Sequence, residues 1–345
     1  MEIIKQKYSK SYYLKLIIIL IIVLIALFVF SFTIGRYNIS INNFIITIHK
    51  LITGKTDINK TFYRIIFYVR MPRIILAIFV GAALSVSGAI YQSLFQNPMA
   101  SPDILGCSNG AATGAAIAIL LDFSKNFITL NAFIFSLLTI FLVYLIGHRA
   151  SGNRIVNLIL AGIMISSIFS AITSTIKLVA DPNNKLPEIT YWLMGSLSGF
   201  TNSEIPYAII PIIISLVITY LLRWKLNILS LGKEEATSLG VNVKLYRLIY
   251  VILATILTAT SISFSGTIGY VGLVIPHLSR KLIGNNNNYL IPVSMLLGSI
   301  FLLLVDNVSR NFLSTEIPIG ILTAIIGAPF FLYLICRKEG RGCSM

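Results

Sequence analysis

The 345-residue chain has little charge: Asp, Glu, Lys and Arg make up 11% of it. Soluble domains carry roughly 25%. That shortage excludes an ordinary soluble globular domain. Acidic residues are the scarcer sign, at 12 against 27 basic ones. Carboxylate pairs inside the apolar runs are absent, and a hydrolase working in the membrane needs such groups buried there. Three histidines, His49, His148 and His277, lie far apart and form no HxxxH pair. Three cysteines, Cys107, Cys336 and Cys343, are distant from each other or at the chain end, and none neighbours a histidine. This spacing excludes a zinc site and a disulfide framework. Cys343 stands three from the end and does not fit a prenylation box.

Nucleotide motifs are also missing. Gly54, Lys55 and Thr56 form the tail of a phosphate loop, but His49 stands where its first glycine is required. Gly266, Gly269 and Gly272 are spaced GxxGxxG, which is not the dinucleotide fingerprint. Any nucleotide hydrolysis must come from another chain. No basic groove with interleaved aromatics is present, so the net charge of +15 does not point to nucleic acid.

What the chain has is apolar sequence. Hydrophobic residues make up 56% of it, and the mean hydropathy is +0.87. A membrane-spanning helix needs about 20 apolar residues, and about ten such helices would leave only short loops. The candidate spans are about 14–34, 64–93, 104–121, 127–147, 154–178, 205–222, 245–266, 269–283, 289–306 and 318–336. We therefore expect one all-α polytopic domain over residues 1–345. The segment 269–283 holds Gly269, Gly272 and Pro276, which suits a broken or re-entrant helix. Lys5, Lys7, Lys10 and Lys15 precede the run from Leu16 to Phe30 like a signal peptide, but no small-residue cleavage site follows. The run is expected to remain as the first span.

With both termini inside, most Lys and Arg fall on the cytoplasmic side, as the positive-inside rule requires. The outer excess is concentrated in one segment. Arg36, Lys50, Lys55, Lys60, Arg64, Arg70 and Arg73 are opposed there only by Asp57. A basic outer surface suits an acidic partner docking from outside. Two loops are long. The outer one, Ala180–Glu204, has Tyr191-Trp192 and Gly195-Ser196, which suit an interfacial or re-entrant helix. The inner one, Trp224–Lys244, carries Glu234-Glu235-Ala236 and stops at Gly240, a helix-ending signal. A short amphipathic helix on the cytoplasmic face, gripped by a partner, would fit it.

The stretch Arg70–Ala111 is the most informative. Two arginines open an apolar run crowded with Gly, Ala and Ser; Asn97-Pro98 breaks it, and a second small-residue helix follows. Small residues let membrane helices approach closely, and Gly110 and Gly114 form GxxxG. Charges stay near span ends: Asp103, Lys177, Arg280 and Asp306. An ion-coupled secondary transporter would place them deeper. Polar lining is expected from Ser166, Ser167, Ser170, Thr173 and Ser174 on one span, and from Thr255, Thr258, Thr260, Ser261 and Ser263 on another.

These residues resemble a known family. Arg70-Met71-Pro72-Arg73, Gly81–Leu84, Ser87-Gly88-Ala89, Gln92, Asn97–Pro102 and Leu105-Gly106 are similar to permeases of ABC importers for iron–siderophore complexes, haem and cobalamin. The likeness continues in Ser238–Val243, Gly269–His277, Asp306, Glu316–Gly320 and Gly327-Ala328-Pro329. It implies a type II ABC importer permease fold with ten helices, paired with a second permease copy or a paralogue in the cytoplasmic (inner) cell membrane. It implies two cytoplasmic ATPase subunits, which hold ATP and magnesium, and an external substrate-binding protein. This chain itself would be no enzyme and hold no cofactor or metal. Arg70, Arg73 and Arg310 would dock the binding protein. Asn97, Met99, Ser151 and Gly152 would form the cytoplasmic gate. The segment at about 227–241, with Gly232, Glu235, Ala236, Leu239 and Gly240, would couple to the ATPase. Gln96 and Met99 flank Asn97-Pro98 where the family often has Arg and Leu. Iron–siderophore import is the leading expectation, with haem or cobalamin as alternatives on the same machinery.

Overall fold

Asn242 opens a helix because its side chain accepts the Leu245 backbone N–H at 3.1 Å. Ser40, Asn59 and Asn286 cap three other helices in the same way. The computed structural model describes residues 10–35, 37, 39–53, 59–149, 151, 154–313 and 315–338. Among them the chain runs through α1 (Lys10–Ser31), α2 (Ile41–Ile52), α3 (Lys60–Arg64) and α4 (Met71–Leu94), with a π-helical stretch, Ile65–Arg70, joining the last two. A 3-10 turn, Pro102–Leu105, leads to α5 (Cys107–Leu120), α6 (Lys125–Arg149), α7 (Arg154–Val179) and α8 (Lys185–Leu193). Then come α9 (Ile205–Leu229), α10 (Lys233–Ser238), α11 (Val243–Ser265), α12 (Val271–Ile283), α13 (Asn287–Asn311) and α14 (Ile319–Lys338). Seven helical segments are long and apolar enough to cross a membrane; α5 and the first part of α14 are shorter apolar helices. Each span expected from the sequence is a helix, and the described residues contain no strand.

Helix α4 sits at the centre, packed on α9, α11, α12 and α13. Its small residues allow this. A Cβ on Gly81 would lie 2.3 Å from the Gly298 carbonyl oxygen, and one on Gly88 would lie 1.8 Å from that of Gly272. Backbone therefore touches backbone at both crossings. Helix α5 is held between α6 and α7 by the same device. Gly110 lies against Phe135 and Thr139, and Gly114 against Asn131. The GxxxG pair thus does face a neighbouring helix.

Hydrogen bonds gather the loops into two ends. Asn202 donates to the Phe67 carbonyl, and Asn307 to the Ser31 hydroxyl. Gln96 donates to the Ser230 carbonyl, Asn227 to Asn286, and Ser93 to Asn287. The first set marks the end carrying α2, α3 and α8, the second the end carrying α10.

Three expectations needed correction. Helix α9 runs to Leu229 rather than ending near 222. Lys225 bonds Tyr246 of α11 and Asn227 bonds Asn286 at the start of α13, so the polar residues did not end it. Helix α2 was not foreseen, because its apolar residues are too few for a span. The segment expected at 269–283 becomes helical only at Val271, because Tyr270 takes a left-handed φ of +66°. Gly54, Lys55 and Thr56 lie outside the described residues, as does Gly152.

Candidate functional site: a charged cluster at one end and a seated helix at the other

The arginines expected to face outward do come together. Arg73 Nε lies 2.7 Å from Asp306 Oδ1 and its Nη1 2.8 Å from Glu316 Oε2. Arg310 Nε lies 3.1 Å from Asp306 Oδ2, an ion pair without hydrogen-bond alignment. Arg310 also donates to the Asn307 side chain, and Asn307 in turn reaches Ser31 at 2.8 Å. Arg70 donates to the carbonyls of Phe32 and Tyr37. Helix geometry builds this set. Asp306 and Arg310 are four residues apart on α13, and Arg73 enters from the first turn of α4. Ser309 donates to the Ile317 carbonyl at 2.6 Å, which turns the chain back so that Glu316 meets Arg73.

Exposure of these arginines is corrected. Arg70, Arg73 and Arg310 are 4%, 6% and 7% exposed. A guanidinium in so apolar a setting is retained only with partners, and here the chain supplies them. Among the described residues, two carboxylates face three guanidiniums, which leaves positive charge on Arg70, whose acceptors there are carbonyls. Lys60 and Arg64 are exposed on α3 near its mouth.

A second set of groups at this end ties the α5–α6 turn to the 194–204 segment. Lys125 lies 3.5 Å from Glu204 and 3.5 Å above the Phe200 ring, and it donates to the Gly199 carbonyl. Asp122 pairs with Lys185 of α8. Partial burial disfavours the Glu204 carboxylate, but the Thr201 N–H and Lys125 outweigh it and hold its pKa below the ordinary value.

At the opposite end, Asn97 and Met99 sit on an exposed turn. Asn97 Oδ1 accepts the Met99 N–H at 2.9 Å, and Gln96 reaches the Ser230 carbonyl at 3.1 Å. Ser151 is exposed, and its carbonyl accepts from Asn157 at 3.1 Å. The two turns share an end but are tied to different elements. Helix α10 is pinned by one residue: Ala236 is fully buried, whereas Glu234, Glu235 and Leu239 face outward. Gly232 and Gly240 bracket it at φ +124° and +76°, conformations that side chains resist. This places a short rigid helix between α9 and α11 with an exposed acidic and apolar face.

The two hydroxyl rows separate. Thr255, Thr258, Thr260, Ser261 and Ser263 are buried inside the bundle, so the expected lining by α11 is corrected. Thr255 lies 3.4 Å from the Tyr91 hydroxyl, which explains its burial as packing. On α7, Thr173 is buried against Thr113 at 2.8 Å, but Ser167, Ser170, Ser174 and Thr175 are exposed. Ser167, Ser174 and Thr175 donate to carbonyls one turn back at 2.9–3.0 Å. The protons of these three are spent on the helix, and Ile163, Met164 and Leu178 flank the stripe.

The bundle thus joins a basic cluster at one end to a seated short helix at the other. The model of the FecCD transport family matches residues 21–337. The chain belongs to the FecCD transport family. It is 39% identical over 319 residues to the molybdate import system permease of Haemophilus influenzae, covering 92% of this chain and 94% of that one. It is 40% identical over 276 residues to an iron chelatin transport permease of Helicobacter pylori, covering 80% and 83%. A cobalamin import permease of Halobacterium salinarum is 39% identical over 275 residues, covering 79% and 73%. Among solved structures, a metal-chelate type ABC transporter in an inward-facing conformation superposes with a TM-score of 0.84 at 38% identity, covering 94% and 99%. The chain is thus a multi-pass ABC importer permease with the type II fold. Members of this family work with ATPase subunits and binding proteins. Sequence reasoning found the arginines but not their internal partners. Asp306 and Glu316 were visible at span ends, and only the fold shows them closing on Arg73.

Proposed function

We propose that this permease carries an iron–siderophore complex through the cytoplasmic membrane, with both termini inside and two ATPase subunits supplying the work. The carrying observation is α10, a helix pinned by Ala236 whose Glu234, Glu235 and Leu239 are free for a partner. ATP binding closes the ATPases, and α10 passes that motion through Ser230 and Gln96 to the Asn97–Met99 turn. Asn97, Met99 and Ser151 form the inner gate with their counterparts in a second permease copy or a paralogue. The exposed faces of α7 and of α14, with Ile321, Ile325 and Leu332, meet that second chain and enclose the path. An external binding protein docks over the charged cluster: exposed Lys60 and Arg64 take its acidic groups, and Arg70, Arg73 and Arg310 beneath them set the positive field. Bidentate geometry suits such a contact.

The α7 stripe supports a large chelate over a small oxyanion, because the Ser167, Ser174 and Thr175 protons are engaged by the helix, which leaves few donors to cradle negative charge. Molybdate is the second reading, favoured by the relative that spans nearly the whole chain. Cells lacking this chain should lose uptake of a labelled ferric siderophore while keeping that of molybdate, haem and cobalamin. Loss of molybdate uptake alone would replace the first reading with the second. Loss of haem or cobalamin uptake alone would assign that cargo.

A further inference from the structure

At the α10 end, cations and aromatic rings gather where α1, α9, α11 and α13 approach one another. Arg223 donates to the Asn288 carbonyl at 3.2 Å and to the Tyr220 carbonyl, and its guanidinium carbon lies 3.9 Å above the Tyr220 ring. Lys225 donates to the Tyr246 hydroxyl and lies 3.7 Å from that ring and 5.2 Å from the Trp224 ring. Tyr13 of α1 and Tyr289 of α13 have ring centroids 4.2 Å apart beside them. Among the described residues, neither Arg223 nor Lys225 meets a carboxylate. Their partners are neutral, so both charges stay uncompensated, and a guanidinium has five donors of which carbonyls take only part. Exposed Lys15 and Lys244 add to the positive field.

The cluster lies at the end of an apolar stripe. Ile210, Ile213, Ile214, Val217 and Leu221 are exposed on α9 at helical spacing, and Tyr220 and Trp224 continue that stripe. Such a stripe faces acyl chains, and Tyr and Trp mark the depth of the headgroups. Arg223 on the α13 side of that stripe and Lys225 on its α11 side stand at that depth without a carboxylate among the described residues, and both face phosphate.

We propose that Arg223 and Lys225, with Tyr220 and Trp224, form a binding site for the phosphate of an anionic phospholipid in the inner leaflet. The leaflet rests on the orientation proposed above; the headgroup chemistry does not. Acyl chains lie along the Ile210–Leu221 stripe, the phosphate takes the remaining Arg223 guanidinium donors beside Tyr220 and Trp224, and Lys225 on the other flank adds to the positive field. The lipid braces the inner end of α9, one turn before α10 begins.

The chain has two tryptophans, and Trp192 lies at the other end of the bundle. Trp192→Phe therefore leaves Trp224 as the only reporter. This variant is reconstituted in phosphatidylcholine nanodiscs with a small fraction of brominated phosphatidylglycerol or brominated phosphatidylcholine. Near-surface cations enrich anionic lipid about fivefold each. Quenching by brominated phosphatidylglycerol should exceed that by the brominated choline lipid at equal fraction. Lys225→Gln and Arg223→Gln should each lower it, and Arg223→Lys should retain most of it. Equal quenching by the two lipids overturns the proposal. Release by millimolar inorganic phosphate would make it a free-anion site, and release by the ATPase subunits a protein contact; either result also overturns it. The readout involves no transport, so it stands or falls separately from the cargo.

Discussion

Asp306 is the residue on which the charged cluster turns. It is fully buried and faces both Arg73 and Arg310. Removing one partner of a buried ion pair costs about 3–5 kcal/mol, because the remaining charge stays desolvated. Asp306→Asn is therefore expected to lower unfolding stability by about 3 kcal/mol or more, measured by thermal unfolding of the purified complex. An unchanged midpoint would mean that the arginines find other partners. Two glycines separate space from conformation. Gly88→Val would drive a side chain into the Gly272 carbonyl, and a loss of about 3 kcal/mol is expected from forcing α4 and α12 apart. Gly240→Ala meets nothing within 4 Å and should lose only about 1 kcal/mol, from its positive φ. The sequence displayed all of these residues, but not which obstacle each glycine avoids. Gly88 sits in a small-residue run that reads as close packing, whereas the identity of the facing backbone depends on a helix nearly two hundred residues later.

Among the elements, α10 and the 194–204 segment make different demands. Helix α10 is short and is held by Ala236 between two glycines at positive φ, so the coupling role proposed for it rests on its pose rather than on its own stability. Gly240→Val adds a branched side chain in a left-handed conformation and should tilt the helix. Substrate-stimulated ATPase activity and uptake should then fall together, while assembly with the ATPase persists on size-exclusion chromatography. Normal coupling in that variant would remove α10 from the mechanism. At the other end, the Glu204 carboxyl is held below its ordinary pKa of 4.5. A depressed carboxylate contributes stability above the unfolded value, and the contribution disappears as pH falls through the folded value. The difference in melting temperature between wild type and Glu204→Gln should be constant at neutral pH and shrink below about pH 4.5. A difference independent of pH would exclude the carboxylate as its source. Helix existence was readable from apolar runs and caps. The unread parts were α2, too short for a span, and the seven extra residues of α9, where Arg223, Trp224 and Lys225 looked like a loop but snorkel from a continuing helix.

The whole molecule is a bundle built around α4, with a charged cluster at one end and an acidic helix at the other. Its class was legible because low charge, small-residue runs and the Asn97-Pro98 break all describe helices that pack closely and turn sharply. The two hydroxyl rows were not separable, since Ser and Thr look alike whether they face a path or a core. Only packing shows α11 inside and part of α7 outside. The proposed function requires that this permease move cargo only when partner ATPases hydrolyse ATP. The direct measurement is uptake of labelled ferric siderophore into proteoliposomes holding the permease pair, its ATPases and the binding protein. With ATP and magnesium inside the compartment that faces α10, uptake should proceed and should stop when the ATPase carries a hydrolysis-dead substitution. Uptake that continues without hydrolysis but collapses with an ionophore would contradict the account and identify an ion-coupled carrier.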